Sequence, residues 1–182
     1  IALAPLILAA ANEPPRRAAA AGLLAGLVFW LIGVAWLTRV TTIGWAVLAL
    51  YCALYTSLFA IGVSILFRLD RASPLDGFLR LAGAAFLWTS LEFIRYRLLT
   101  GFPWNGLGVA FYRNIPMIQS ASWGGLSAVT FAAAWVNAGV ASALRTFLRP
   151  GRTLFWIAEL GAAAALLLGW MTFGLIQTRA PL

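Results

Sequence analysis

Glu92 and Arg95 are the residues of this chain whose types and spacing most invite chemistry. With Trp88 they fall at i, i+4 and i+7 of one apolar stretch, which is a single face of a helix. A carboxylate and a guanidinium one turn apart can close an ion pair that locks helix packing. The same two groups can instead form the polar wall of a substrate cavity, with Arg95 meeting a phosphate. Charges inside an apolar span are costly and usually face a bundle interior or a water-filled cavity. The spacing leaves both readings open. Arg97 points off that face and is expected to snorkel to the membrane interface. Glu159, about one turn into the last apolar stretch, is expected to snorkel or to pair with Arg149 or Arg152.

Other chemistry is removed by missing residue types. The 13 basic residues are all arginine, and the chain has no His. There is then no imidazole base, no histidine metal site, no Ser-His triad and no lysine Schiff base. The single cysteine, Cys52, allows no internal disulfide and no thiolate cluster. It sits among Leu48, Leu50, Ala53 and Leu54, with no His or Lys to activate it, and reads as packing. No metal and no cofactor are expected.

The elements that must position Glu92 and Arg95 follow from composition. Of 182 residues, 63% are hydrophobic and 10% charged, with a mean hydropathy of +0.91. A soluble domain is nearer half apolar and a quarter charged, so the fold class is all-α, a polytopic transmembrane helical bundle. A hydrocarbon core of roughly 30 Å needs about 20 apolar helical residues. Five stretches meet this: about 18–37, 43–67, 77–99, 124–144 and 153–176. Residues 1–11 are apolar over about half a span and lack the basic n-region and cleavage site of a signal peptide. They read as the tail of a further span, and the chain as a piece of a longer protein. Gly22, Gly26 and Gly33 either permit close helix contact or reflect the general frequency of Gly in membrane helices.

The linkers alternate in charge. Arg16 and Arg17, then Arg68, Arg71 and Arg80, then Arg145, Arg149 and Arg152 fall in every second linker. Arg39 and Arg113 stand alone in the others. The positive-inside rule places the first set in the cytoplasm and the C-terminus outside. The net charge of +8 is thus an orientation signal. Arginines spread over separate loops do not make a nucleic-acid face, and no nucleic-acid partner is expected.

On the outer side, Gly101 and Pro103 end the Glu92 helix. Phe102 and Trp104 then lie at the interface, either as aromatic-belt anchors or as the lip of a site, followed by Asn105. The segment on to Trp123 is long and mildly apolar, as expected of a re-entrant or interfacial stretch. Trp36 and Tyr55 are candidates for aromatic walls.

Trp88-Thr89-Ser90-Leu91-Glu92-Phe93-Ile94-Arg95, followed by Leu99-Thr100-Gly101-Phe102-Pro103-Trp104, resembles the membrane domain of the apolipoprotein N-acyltransferase family. That family carries Trp, then Glu-Phe-hydrophobic-Arg, then Leu-Thr-Gly-Phe-Pro-Trp in its fifth helix and the loop after it. Gly33-Val34-Ala35-Trp36 resembles its Gly-x-x-Trp at the outer end of helix three, and Tyr51 to Ala60 its helix-four stretch. The resemblance implies that the chain covers the end of helix two through helix seven. Residues 1–176 would form the membrane domain, and residues 177–182 would start the linker to a periplasmic nitrilase-like domain. It implies a multi-pass protein of the bacterial inner membrane, as a monomer. It also implies transfer of an acyl chain from a phospholipid to the N-terminal diacylglyceryl-cysteine amine of a lipoprotein. The family works through a thioester on a Cys served by a Glu and a Lys in the nitrilase-like domain, which splits one acyl transfer into two steps. None of that triad maps onto this sequence, so no residue here is expected to be catalytic. Trp36, Trp88, Glu92, Arg95, Gly101, Phe102, Pro103, Trp104 and Asn105 are the candidates for holding lipid substrates.

Two other classes compete. A diacylglyceryl transferase would be expected to carry His at its site, and this chain has none. A non-catalytic polytopic protein such as a transporter component would be expected to show paired broken helices with internal symmetry, and no repeat is evident.

Overall fold

A computed structural model of the chain describes residues 3–68, 74–148 and 155–179. Every regular element among them is a helix: α1 Leu3–Ala11, α2 Pro15–Gly33, α3 Thr42–Arg68, α4 Pro74–Arg95, α5 Ile115–Ile118, α6 Ala121–Phe147 and α7 Phe155–Arg179. All but α1 and α5 are long and apolar enough to cross a membrane. The polytopic helical bundle expected from composition is the architecture observed. Leu24, Val28 and Ile32 of α2, and Val47, Leu50, Leu54 and Leu58 of α3, are exposed on the outside of the bundle. Helices apolar around most of their circumference suit a hydrocarbon solvent.

Helix ends follow local chemistry, and some differ from the expected bounds. Pro15 opens α2, where its missing N–H costs nothing. The helix stops at Gly33 because Ala35–Arg39 tightens into a 3₁₀ turn, so the first span is shorter than 18–37. α4 ends at Arg95 and not at Leu99. Leu98–Thr100 is a separate 3₁₀ turn in which Leu99 takes φ 52°. The stretch to Trp123 holds a 3₁₀ turn at Leu107–Phe111 and the short α5, whose Met117 N–H is capped by Asn114 Oδ1. α6 is interrupted at Gly124 and Gly125, the latter at φ 60°. Gln177 to Arg179, expected as linker, continue α7. Arg71, Arg149 and Arg152 lie outside the described residues, as does the end of the expected linker.

α2 and α3 pack most closely. A Cβ on Gly22 would fall 2.7 Å from the Thr56 carbonyl oxygen, and one on Gly26 would fall 2.9 Å from Ala53 Cα. These two glycines therefore serve close helix contact. Ser57 Oγ donates across the same seam to Ala19 O at 2.9 Å. α6 is the central helix, with Val129, Ala133, Ala138 and Ala141 buried against its neighbours.

Polar contacts fasten the arginine-rich end of the bundle. Glu159 of α7 is buried, accepts from Arg80 of α4 at 2.7 Å, and accepts from Thr146 Oγ1 of α6 at 3.0 Å. Contrary to expectation, Glu159 is buried and so does not snorkel; it pairs with Arg80, nearly two turns inside α4, while Arg149 and Arg152 lie outside the described residues. Arg145 Nε donates to Asn12 Oδ1 at 3.0 Å, and its guanidinium lies over the Phe67 ring.

Candidate functional site

The opposite end of α4 carries Glu92 and Arg95, which are 5% and 3% exposed. Both side chains turn towards the loop after the helix. Glu92 Oε1 accepts the backbone N–H of Leu107 at 2.7 Å. Glu92 Oε2 accepts from Thr130 Oγ1 of α6 at 3.0 Å, and that hydroxyl accepts the Gly108 N–H at 3.2 Å. Tyr96 OH approaches the same carboxylate at 3.4 Å. Arg95 NH1 donates to Phe102 O at 2.7 Å and to Trp104 O at 2.9 Å. The two charges are 3.9 Å apart, and the guanidinium lies over the Trp30 ring at 4.8 Å. Two buried charges thus satisfy backbone groups that hydrocarbon would leave unpaired.

The loop they hold has one obligatory glycine. Gly101 takes φ 82°, and a Cβ there would strike the Tyr96 carbonyl oxygen. Asn105, at φ 52°, donates from Nδ2 to Gly33 O at 3.3 Å and ties the loop to the end of α2. Pro103 lies between the two residues whose carbonyls Arg95 holds. Phe102 stacks on Trp104 at 6.0 Å, and Trp36 packs at a tilt against Trp104 at 6.1 Å. Trp36 and Trp104 are 50% and 54% exposed, forming an aromatic lip at this end of the bundle.

Beneath the lip is a small cleft with a cavity volume of about 10 Å³, room for about one water. Glu92, Arg95 and Asn105 supply its polar side, Trp30, Trp88 and Leu91 its apolar side, and Cys52, Tyr55 and Thr56 its α3 wall. Trp88 packs edge-on to Phe59 at 5.0 Å. Its indole N–H is buried beside Glu92 without a well-formed hydrogen bond. Tyr55 OH meets Tyr51 OH at 2.7 Å.

The candidates from the sequence therefore assemble at one end: Trp88, Glu92, Arg95 and Asn105 line the cleft, Trp36, Phe102 and Trp104 form its lip, and Gly101 and Pro103 shape the loop. Arg97 stands apart, with its guanidinium over Phe93 at 3.6 Å. Several contributors are not among the candidates, Thr130, Trp30 and Cys52 among them. Thr130 is one hydroxyl in an apolar helix, and that isolation is its signal. Trp30 reads as an ordinary membrane-helix aromatic. Cys52, read as inert packing, is fully buried in the cleft wall. The arrangement sets a buried carboxylate and guanidinium beside an aromatic and apolar wall, and no activated nucleophile is present in it.

Residues 1–139 match the family model described as the apolipoprotein N-acyltransferase N-terminal domain. The chain is 30% identical over its whole length to an apolipoprotein N-acyltransferase of Geobacter metallireducens, covering 36% of that protein. It is 36% identical over 79% of its length to one of Bradyrhizobium diazoefficiens, covering 24%. It is 31% identical over 81% of its length to one of Pasteurella multocida, covering 28%. The chain thus spans about a third or less of the length of these relatives.

Proposed function

We propose, from the premise that the chain belongs to the apolipoprotein N-acyltransferase family through that family's N-terminal domain, that it is the lipid-holding membrane part of an acyl-transferring enzyme. The acyl donor is a phospholipid, and the acceptor is the N-terminal diacylglyceryl-cysteine amine of a lipoprotein. Family membership favours this over the transporter reading. The covalent step belongs to a nitrilase-like part of the longer protein, and none of these 182 residues is assigned to it. The bundle is placed in the bacterial inner membrane as a monomer. Its arginine-rich end faces the cytoplasm, and the aromatic lip and the end of α7 face the periplasm.

One observation carries the assignment of the site. Arg95 is buried, holds both Phe102 O and Trp104 O, and lines the cleft together with Asn105, the residue after Trp104. The residue that shapes the lip therefore also presents charge to whatever enters. Trp30, Trp88 and Leu91 suit an apolar chain, while Arg95 and the Trp88 N–H suit an ester or phosphate oxygen. Glu92 and Arg95 are thus positioning residues for the loop as well as part of the cleft wall.

The test uses the full-length protein in membranes. Arg95→Ala and Trp104→Ala are each expected to lower acyl transfer from phospholipid to lipoprotein by at least about tenfold, a loss of roughly 1.4 kcal/mol in transition-state stabilisation. Trp104→Ala is expected to insert and express normally, and Arg95→Ala, which breaks a buried pair, is compared at equal membrane level. Unchanged transfer in both variants overturns the assignment.

A further inference from the structure

The indole N–H of Trp88 is a buried donor that the protein itself leaves unanswered. Trp88 is 6% exposed, and among the described residues its Nε1 has no acceptor in hydrogen-bonding geometry. Two other buried tryptophans show what such a group ordinarily finds. Trp135 Nε1 donates to Ala162 O at 3.3 Å, and Trp170 Nε1 donates to Ser120 Oγ at 2.9 Å. A buried polar group without a partner is costly, and an indole N–H usually finds one. The Trp88 ring packs edge-on to Phe59 of α3 at 5.0 Å, with its N–H beside Glu92.

A second contact in the same cleft is incomplete. Arg95 NH2 and Glu92 Oε1 are 3.9 Å apart, too far for a direct hydrogen bond. Both groups are buried, so bulk solvent does not fill the gap for them. A polar contact at that distance is the kind that a bridging molecule completes. Trp88, Glu92 and Arg95 all line one cavity of about 10 Å³, roughly the volume that a single water needs.

The chemistry of the three groups selects the occupant. It must accept from the indole N–H and from the guanidinium, which a metal cation or an ammonium group cannot do. It must lie against the Glu92 carboxylate, which repels an anion. It must be a single heavy atom to fit the volume. A neutral group of one heavy atom that accepts twice and donates to a carboxylate is water.

We propose that the cleft is a built site for one ordered water, which accepts from Trp88 Nε1 and Arg95 NH2 and donates to the Glu92 carboxylate. That gives about three hydrogen bonds, the number a buried water typically makes. The water completes the ion pair and ties the Trp88 ring, packed on α3, to the carboxylate that holds Leu107 and Thr130. The inference goes beyond the lipid reading of the site and does not rest on it, because it concerns the cleft closed under its lip.

Full-length protein in lipid nanodiscs tests it by cryo-electron microscopy at a resolution that shows ordered waters on the protein surface. One isolated density peak is expected within about 3.2 Å of Trp88 Nε1, a Glu92 carboxylate oxygen and Arg95 NH2. A direct hydrogen bond from Trp88 Nε1 to Glu92, a side chain filling the cavity, or a cavity without density overturns the proposal. A lipid oxygen in that place overturns it too, and favours the lipid reading. Water-edited solid-state NMR of the same protein, labelled with 15N at its tryptophan indoles, gives an independent check. Magnetisation transfer from water is expected at the Trp88 indole, identified by its loss in Trp88→Phe. No transfer is expected at the indoles of Trp135 and Trp170, identified by the same substitution. Equal transfer at all three, or none at Trp88, overturns the proposal. The density of the unsubstituted protein decides it even if Trp88→Phe misfolds.

Discussion

The carboxylate of Glu92 accepts the backbone N–H of Leu107 at 2.7 Å, across 15 residues of chain. An intramembrane acid is thereby spent on a loop. Its second oxygen takes Thr130, whose hydroxyl in turn takes the Gly108 N–H, so one side chain anchors two successive amides to α4 and α6. Removing it leaves the Leu107 N–H and the Thr130 hydroxyl without their acceptor and Arg95 without its carboxylate, which costs about 3–5 kcal/mol for a buried pair broken on one side. Glu92→Ala is therefore expected to lower the thermal midpoint of the detergent-solubilised protein strongly. Glu92→Gln keeps an acceptor for Leu107 and is expected to lower it far less. Equal midpoints for the two variants would show that the carboxylate carries no such load.

Arg95 does the matching work on the near side of the loop. One nitrogen bridges Phe102 O and Trp104 O, and the planar fork fixes the angle between them. A lysine offers a point charge on a flexible stem. Arg95→Lys is therefore expected to leave the helices in place and loosen the 101–105 segment. Hydrogen exchange at Phe102 to Asn105 should rise while α4 and α6 stay protected. Unchanged exchange in that segment would remove Arg95 from the role of loop fastener.

The spans were readable from sequence because hydrocarbon imposes length and apolarity on any crossing helix. Glu92 and Arg95 were readable as one face because helical spacing places them there. Their partners were not, since the acceptors and donors at Phe102, Trp104, Leu107 and Gly108 are backbone groups, which every residue carries and no side chain marks. Helix ends at Gly33 and Arg95 shifted for a related reason. The 3₁₀ turns that replace the last turn are set by loop contacts such as Asn105 to Gly33 O and Tyr51 OH to Leu98 O. Arg80 and Glu159 are 79 residues apart, and only the packing of α4 on α7 brings them together.

That Arg80–Glu159 pair supports a third prediction. Both groups are buried, and Thr146 completes the site. Desolvation offsets much of the attraction within such a pair, whereas removing one member alone takes a buried partner from the other. Glu159→Leu alone is expected to destabilise the bundle, because Arg80 and Thr146 both lose their buried acceptor. The double variant Arg80→Met with Glu159→Leu is expected to recover most of that loss. Thermal denaturation of the two variants decides it. A double variant as unstable as the single one would mean that the charges hold α4 to α7 by more than mutual neutralisation.

Glycines give the last prediction, because two of them differ in what surrounds them. A Cβ on Gly22 would lie 2.7 Å from both Ala60 Cβ and the Thr56 carbonyl oxygen, with Ser57 Cα at 2.9 Å. Two of those atoms are backbone and the third is a rigid methyl, so the helices must separate to admit it. Gly161, in α7, has nothing within 4 Å of such a carbon. Overpacking a tight contact costs about 1–3 kcal/mol, while Gly to Ala in an open helix interior gains at most about 1 kcal/mol. Gly22→Ala is therefore expected to lower the thermal midpoint, and Gly161→Ala to leave it unchanged or raise it slightly. A Gly22→Ala protein as stable as the original would show that the α2–α3 seam tolerates a wider spacing than its contacts imply.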